Sequence, residues 1–147
     1  MSVQDDIDVV REFTSALGTG EVARCLELLS DELVFSEAES LPFGGDYLGK
    51  DGFKQLLRNV SRDFRVELAT PQISGCETFV AVRVHGTMTS RATGRRMDMQ
   101  VVDLYELRDR KIARVDVFYK DPRALTELCR EDTAAASTTT DHRGGTI

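Results

Sequence analysis

The chain has 147 residues, with 19 Lys and Arg against 25 Asp and Glu, a formal charge of −6 and no Trp. That length suits a single domain with its own core, and the acidic balance lacks the basic excess that a nucleic-acid partner requires. No run of about 18 apolar residues offers a membrane span, and Asp5 and Asp6 stand where a secretory leader carries base, so the expectation is a cytoplasmic protein without a membrane partner.

Val3, Ile7, Val10, Phe13 and Leu17 recur at steps of three and four, which predicts a helix over 3–17 capped by Ser2 and ended by Gly18. Beyond Thr19-Gly20, the set Val22, Cys25, Leu26, Leu28 and Leu29 predicts a second helix lying antiparallel to the first. Leu33 to Glu39 alternates as a first strand, with Leu33, Phe35, Glu37 and Glu39 on one side. Residues 41–49, with Pro42, Gly44, Gly45 and Gly49, read as loop. Phe53, Leu56, Leu57, Val60 and Phe64 then mark a third helix.

From Arg65 the period is two, through 65–72, 77–90, 97–108 and 111–120, with turns at Ser74-Gly75, Thr93-Gly94 and Arg108-Asp109-Arg110. Asp121-Pro122 opens a short closing helix with Leu125 and Leu128. Residues 131–147, which include His142, carry neither period and read as a flexible tail behind a domain of residues 1–130. The three cysteines, Cys25, Cys76 and Cys129, are far apart without ligand spacing and read as free thiols, so neither metal nor cofactor is expected.

Helix, helix, strand, helix and four strands predict an α+β fold, a curved antiparallel sheet forming a half-cone with three helices of the N-terminal half on its concave face. The cavity between helices and sheet is where function would reside. On 97–108, Met97, Met99, Val101, Asp103, Tyr105 and Leu107 share one side, so Asp103 is an acid among apolar neighbours. On 77–90, Phe79, Ala81, Arg83, His85 and Thr87 oppose Val80, Val82, Val84, Gly86 and Met88; Val115, Val117 and Tyr119 share a side of the last strand. Alternation leaves open which side is concave. A structural ion pair of Arg83 with Asp103 and a hydrogen-bonded His85 are the bland alternatives.

Four short stretches carry a resemblance: Leu17-Gly18-Thr19-Gly20-Glu21, Tyr47-Leu48-Gly49-Lys50-Asp51-Gly52, Thr93-Gly94-Arg95 nine residues before Asp103, and Asp109-Arg110-Lys111-Ile112. With the element order, they make residues 7–129 similar to the SnoaL-like branch of the cystatin-like cone fold shared by ketosteroid isomerase, limonene epoxide hydrolase and nuclear transport factor proteins. The resemblance to ketosteroid isomerase puts a protonated acid at Asp103, a carboxyl that an apolar site keeps neutral so that it can donate a hydrogen bond, and a base at Glu37 or Glu39. It matches Phe13 to that enzyme's oxyanion tyrosine. SnoaL-like polyketide cyclases carry a histidine before such a turn, which implies His85 beside an acid/base Asp103. Limonene epoxide hydrolase has a second aspartate where Val117 stands, with Asp116 next to it.

These features imply a cofactor-independent cyclase or isomerase of secondary metabolism, acting on a small apolar polyketide- or terpenoid-like carbonyl substrate. Asp103, His85 and Glu39 or Glu37 are its expected catalytic residues, and Arg83 is expected to hold a substrate carbonyl or carboxylate. Phe13, Phe35, Tyr47, Met99, Tyr105, Val115, Val117 and Tyr119 are the expected pocket lining. Epoxide opening and a non-catalytic binding module are the alternatives. An apolar outer sheet face with Val80, Val82, Val84, Val102 and Leu104 predicts a homodimer.

Overall fold

The computed structural model describes residues 2–128; the expected tail over 131–147, its His142, and Cys129 lie outside the described residues. Helix α1 (Val3–Gly18) begins in a capping box, Ser2 Oγ accepting from the Asp5 amide at 3.1 Å and Asp5 Oδ2 accepting from the Ser2 amide at 3.2 Å. Its apolar stripe buries Val10, Phe13 and Ala16, and α2 (Val22–Leu28) buries Cys25 and Leu28. Helix α3 (Gly49–Asp63) buries Phe53 and Leu56, and starts a turn before the first residue of its apolar period.

The seven strands are β1 (Leu29–Glu37), β2 (Gly45–Leu48), β3 (Phe64–Leu68), β4 (Gln72–Gly75), β5 (Val80–Ser90), β6 (Arg96–Arg108) and β7 (Lys111–Tyr119). They form one sheet in the order β2-β1-β7-β6-β5-β3, with β4 also on β5. Within the expected loop, Gly45–Leu48 pairs antiparallel with β1, which ends at Glu37, so Glu39 leaves the ladder. The stretch 65–72 divides into β3 and β4 around Pro71, which has no amide to give a ladder. Every pairing is antiparallel except β1 with β7, which run parallel. That pairing sets the N-terminal strand beside the last one, and a bulge in β7 between Ile112 and Arg114 lets Ile112, Ala113 and Val115 all be buried.

The inner face of the sheet carries Val80, Val82, Val84 and Met88 of β5, Met99, Val101 and Tyr105 of β6, Val115 of β7, and Leu33 and Phe35 of β1, all buried. This corrects the expected outer face: Val80, Val82 and Val84 point inward, while Arg83 and His85 are exposed on the opposite side. The helices close the inner face through a cluster of rings, with Phe13 5.7 Å from Phe53 and 5.9 Å from Tyr105, and Phe35 5.8 Å from Phe53 between centroids. A short helix over 122–128 folds back and buries Leu125 and Leu128, each worth roughly 1.5–3 kcal/mol of burial.

The β6–β7 hairpin turns on Asp109 and Arg110, whose φ values of 52° and 65° are those of a tight primed turn. An arginine there bears the left-handed strain that glycine escapes. Arg110→Gly is expected to stabilise the protein by about 0.5–1 kcal/mol, read as a higher midpoint in urea unfolding.

Candidate active site

Asp103 lies on the inner face of β6, where it pairs with Val82 on one side and Val117 on the other. The parallel register of β1 with β7, Phe35 with Val115 and Ser36 with Asp116, carries on to set Glu37 beside Val117. Glu37, Val117, Asp103 and Val82 thus form one row across the concave wall. The two acids are two strand spacings apart, about 9.5 Å between backbones, with side chains on the same face.

Glu37 is 9% exposed and among the described residues has one hydrogen-bond partner, the Tyr119 hydroxyl, which donates to Glu37 Oε1 at 2.6 Å. Asp103 makes no hydrogen bond or ion pair within the described residues. Although Asp103 is half-buried as a residue, its carboxyl is largely screened from solvent on the concave wall. Burial pushes the Asp103 carboxyl up to about 7, helped by the charge of Glu37. Burial also pushes Glu37 up to about 7, against the hydrogen bond from Tyr119, which holds it down. Tyr119 and Tyr105 are held neutral, chiefly by burial and then by the adjacent acids, Glu37 for Tyr119 and Asp103 for Tyr105.

Of the other expected site residues, Glu39 is exposed beyond the end of β1, so the first strand contributes Glu37. Arg83 and His85 are corrected outright. The neighbours of Arg83 are Gln72 and Val102, and that of His85 is Gln100, so both project from the convex side, away from Asp103. Neither an Arg83–Asp103 pair nor a His85–Asp103 relay exists. The signal was present: Val80, Val82, Val84 and Met88 form an unbroken apolar set, whereas the set with Arg83 and His85 is half polar.

Phe13, Phe35, Tyr105 and Val115 are core beneath the row rather than open lining. The Tyr47 hydroxyl donates to the Phe43 carbonyl at 2.9 Å and accepts from Asn59 at 3.1 Å, which fixes the loop before β2 to α3. Asp116 is paired with Arg114 at 3.0 Å, and Val117 takes the inward place, so the second acid of an epoxide-hydrolase arrangement is absent from β7. What sequence reasoning missed is the role of Tyr119, whose parity was legible but whose contact with Glu37 depends on the parallel β1–β7 pairing.

A cleft of about 240 Å³ opens where β7 ends, lined by Met97, Met99, Tyr119 and Leu125 with Asp98, Lys120 and Asp121 also bordering it. A wider groove of about 680 Å³ beside α1 and α2 is lined by charged groups such as Arg11, Glu12 and Arg24, and neither acid of the row lines it or the cleft, which meets the row through Tyr119. Among the described residues no three His, Cys, Asp or Glu side chains group as a metal site, and no helix is long and apolar enough to cross a membrane.

The SnoaL-like domain family matches residues 10–115, so the chain belongs to that family. An NTF2-like protein from Burkholderia xenovorans LB400 superposes with a TM-score of 0.76 at 20% identity, covering 88% of this chain and 97% of that one. A candidate polyketide cyclase from a Silicibacter species gives 0.73 at 21% identity, covering 85% and 96%, and TerC, crystallised with polyporic acid, gives 0.73 at 21%, covering 86% and 98%. No curated protein matches the chain.

The two raised carboxyls have a consequence for stability. Each binds its proton more tightly folded than unfolded, so their contribution is fully present below about pH 4 and is lost as pH rises through about 7. Asp103→Asn removes one of the costs of ionisation. It should be more stable than wild type at pH 8 by about 1–3 kcal/mol and no more stable at pH 4, by urea unfolding at both values.

Proposed function

We propose that this protein is a cofactor-independent acid/base enzyme, a cyclase or isomerase acting on an apolar, enolisable carbonyl compound of polyketide or terpenoid type. The observation that carries this reading is the row of two desolvated carboxyls, of which Glu37 alone has a donor among the described residues. Two charges in one dry wall repel, so the pair favours one proton. Tyr119 stabilises the ionised form of Glu37, and Asp103, which has no donor among the described residues, keeps the proton.

Glu37 then removes a proton from the carbon next to the substrate carbonyl, while the Asp103 hydroxyl donates to the carbonyl oxygen as negative charge develops there. The carbon–hydrogen bond breaks and an enol forms with the Asp103 proton; as the product closes or rearranges, the enol oxygen returns that proton to Asp103 and Glu37 delivers its own to carbon or to the new alkoxide oxygen. No electrons are gained or lost. Membership of the SnoaL-like family and the likeness to a candidate polyketide cyclase support the class of chemistry. With Asp116 tied to Arg114, epoxide opening finds less support than enolisation.

The reaction can be read without the natural substrate, by NMR of deuterium uptake at the α-carbon of 2-tetralone in D₂O. Wild type should accelerate exchange most near pH 7 and less on either side, because Glu37 must be ionised and Asp103 protonated. Glu37→Gln and Asp103→Asn should each lose about 100-fold or more; exchange that survives Glu37→Gln would sink the assignment.

The reading includes a second copy of the chain over the convex face, where Phe118 is 56% exposed and Val102 and Phe79 are 39% exposed. Sedimentation at micromolar concentration should show a dimer that Phe118→Asp converts to monomer. A wild-type monomer would remove the proposal.

A further inference from the structure

The last rung between β7 and β6 is the hydrogen bond from the Lys120 amide to the Gln100 carbonyl, at 2.9 Å. Strand β6 begins at Arg96, so its first residues run past the end of β7 without a partner on that edge. The chain leaves the sheet at Lys120 and swings into the helix over 122–128, and the cleft of about 240 Å³ is the wedge left between them. Met97 and Met99, apolar and of adaptable shape, form one wall above the fully buried Leu125, and Asp98, Gln100, Lys120 and Asp121 border the rest. The wall facing them is Tyr119, the side chain whose hydroxyl is bonded to Glu37. One residue therefore touches both the cleft and the carboxyl row.

Size and charge narrow what fits. An apolar cavity of about 150 Å³ holds a benzene-sized guest, and sites for drug-sized ligands begin near about 300 Å³. The cleft falls between, which suits one or two rings. Asp98 and Asp121 outnumber Lys120 on its border, and Glu37 lies behind Tyr119, so a ligand carboxylate is repelled. The single proton of Tyr119 is committed to Glu37, which leaves its oxygen as an acceptor for a ligand hydroxyl.

We propose that this cleft is the ligand subsite of the carboxyl row and takes a neutral compound of one or two rings, held through a phenol or enol hydroxyl on the Tyr119 oxygen. The inference rests on the acid/base reading only for the link to Glu37 and Asp103; the cleft as a ring-binding site stands apart from it.

The test uses the whole protein with its methionine methyl groups labelled, titrated with 2-naphthol and followed by NMR. Met97 and Met99 report the cleft, while Met88, buried on β5, serves as the internal reference. The expected result is a saturable shift of the Met97 and Met99 methyls with Met88 still, together with a moved titration of the Glu37 or Asp103 carboxyl signal. Binding of 2-naphthoate should be at least about tenfold weaker, and a four-ring phenolic steroid should leave both methyls unmoved. Met97→Phe, at a half-buried strand position on the cleft, should weaken 2-naphthol by about tenfold or more. Tyr119→Phe, which removes the accepting oxygen, gives the same reading should the first variant fail to fold.

Absence of a Met97 and Met99 shift up to the solubility limit overturns the proposal, as does naphthoate binding as tightly as naphthol or the steroid entering the cleft. Binding that leaves both carboxyl titrations unmoved overturns the link to the row. Naphthol binding with moved carboxyls, in a protein that fails to exchange the α-protons of 2-tetralone, supports the cleft and removes the acid/base reading alone.

Discussion

The parallel contact between β1 and β7 is the constraint on which the rest of the site depends. The meander β3 to β7 alone would place Asp103 on a concave wall of valines and methionines, an isolated buried acid. Pairing β1 beside β7 adds Glu37 to the same row at one strand's remove and puts it within reach of Tyr119. A parallel pair requires the intervening chain to cross over, and the sheet supplies that path through α3 and the hairpins that follow. The curved sheet therefore assembles its acids from the two ends of the sequence, residues 37 and 103 with 119, around the central Val117.

Once there, the acids are distinguished by hydrogen bonding rather than by depth. Both are pushed toward neutral pH by the same lack of water. Tyr119 has a single proton to give, and it goes to Glu37. In a chamber of low polarity one good hydrogen bond outweighs a modest difference in burial, because an unpartnered charge bears its whole desolvation. The asymmetry that acid/base chemistry needs, one group ready to accept and one ready to donate, follows from that one hydroxyl.

Much of this is legible in the residues alone, and the reasons differ by element. The helices declare themselves through Val10, Phe13, Phe53 and Leu56, because burial against a sheet leaves a stripe of period 3.6. Asp103 stands out because its strand alternates cleanly and its neighbours on that side are apolar. Strand β2 is hidden, since four residues with one buried side chain, Tyr47, give no period to read. Glu37 and Glu39 are indistinguishable until the end of β1 is fixed by the ladder with β2, a contact made through residues that read as loop.

Arg83 and His85 illustrate how a family pattern can point the wrong way across a sheet. A strand has two faces, and a histidine at a familiar distance from a Thr-Gly-Arg turn says nothing about which of them it occupies. The valines at 80, 82 and 84 carry that information, because three β-branched side chains on one side of a strand must be buried while a guanidinium and an imidazole prefer water. Burial of the valines fixes the strand's orientation, the orientation puts Val82 against Asp103, and the acid is left with neither a cation nor a hydrogen-bond donor from β5. The absence of Arg83 from the concave wall is thus what allows Asp103 to remain a neutral acid: a guanidinium at Val82's place would hold the carboxyl ionised and end its use as a donor.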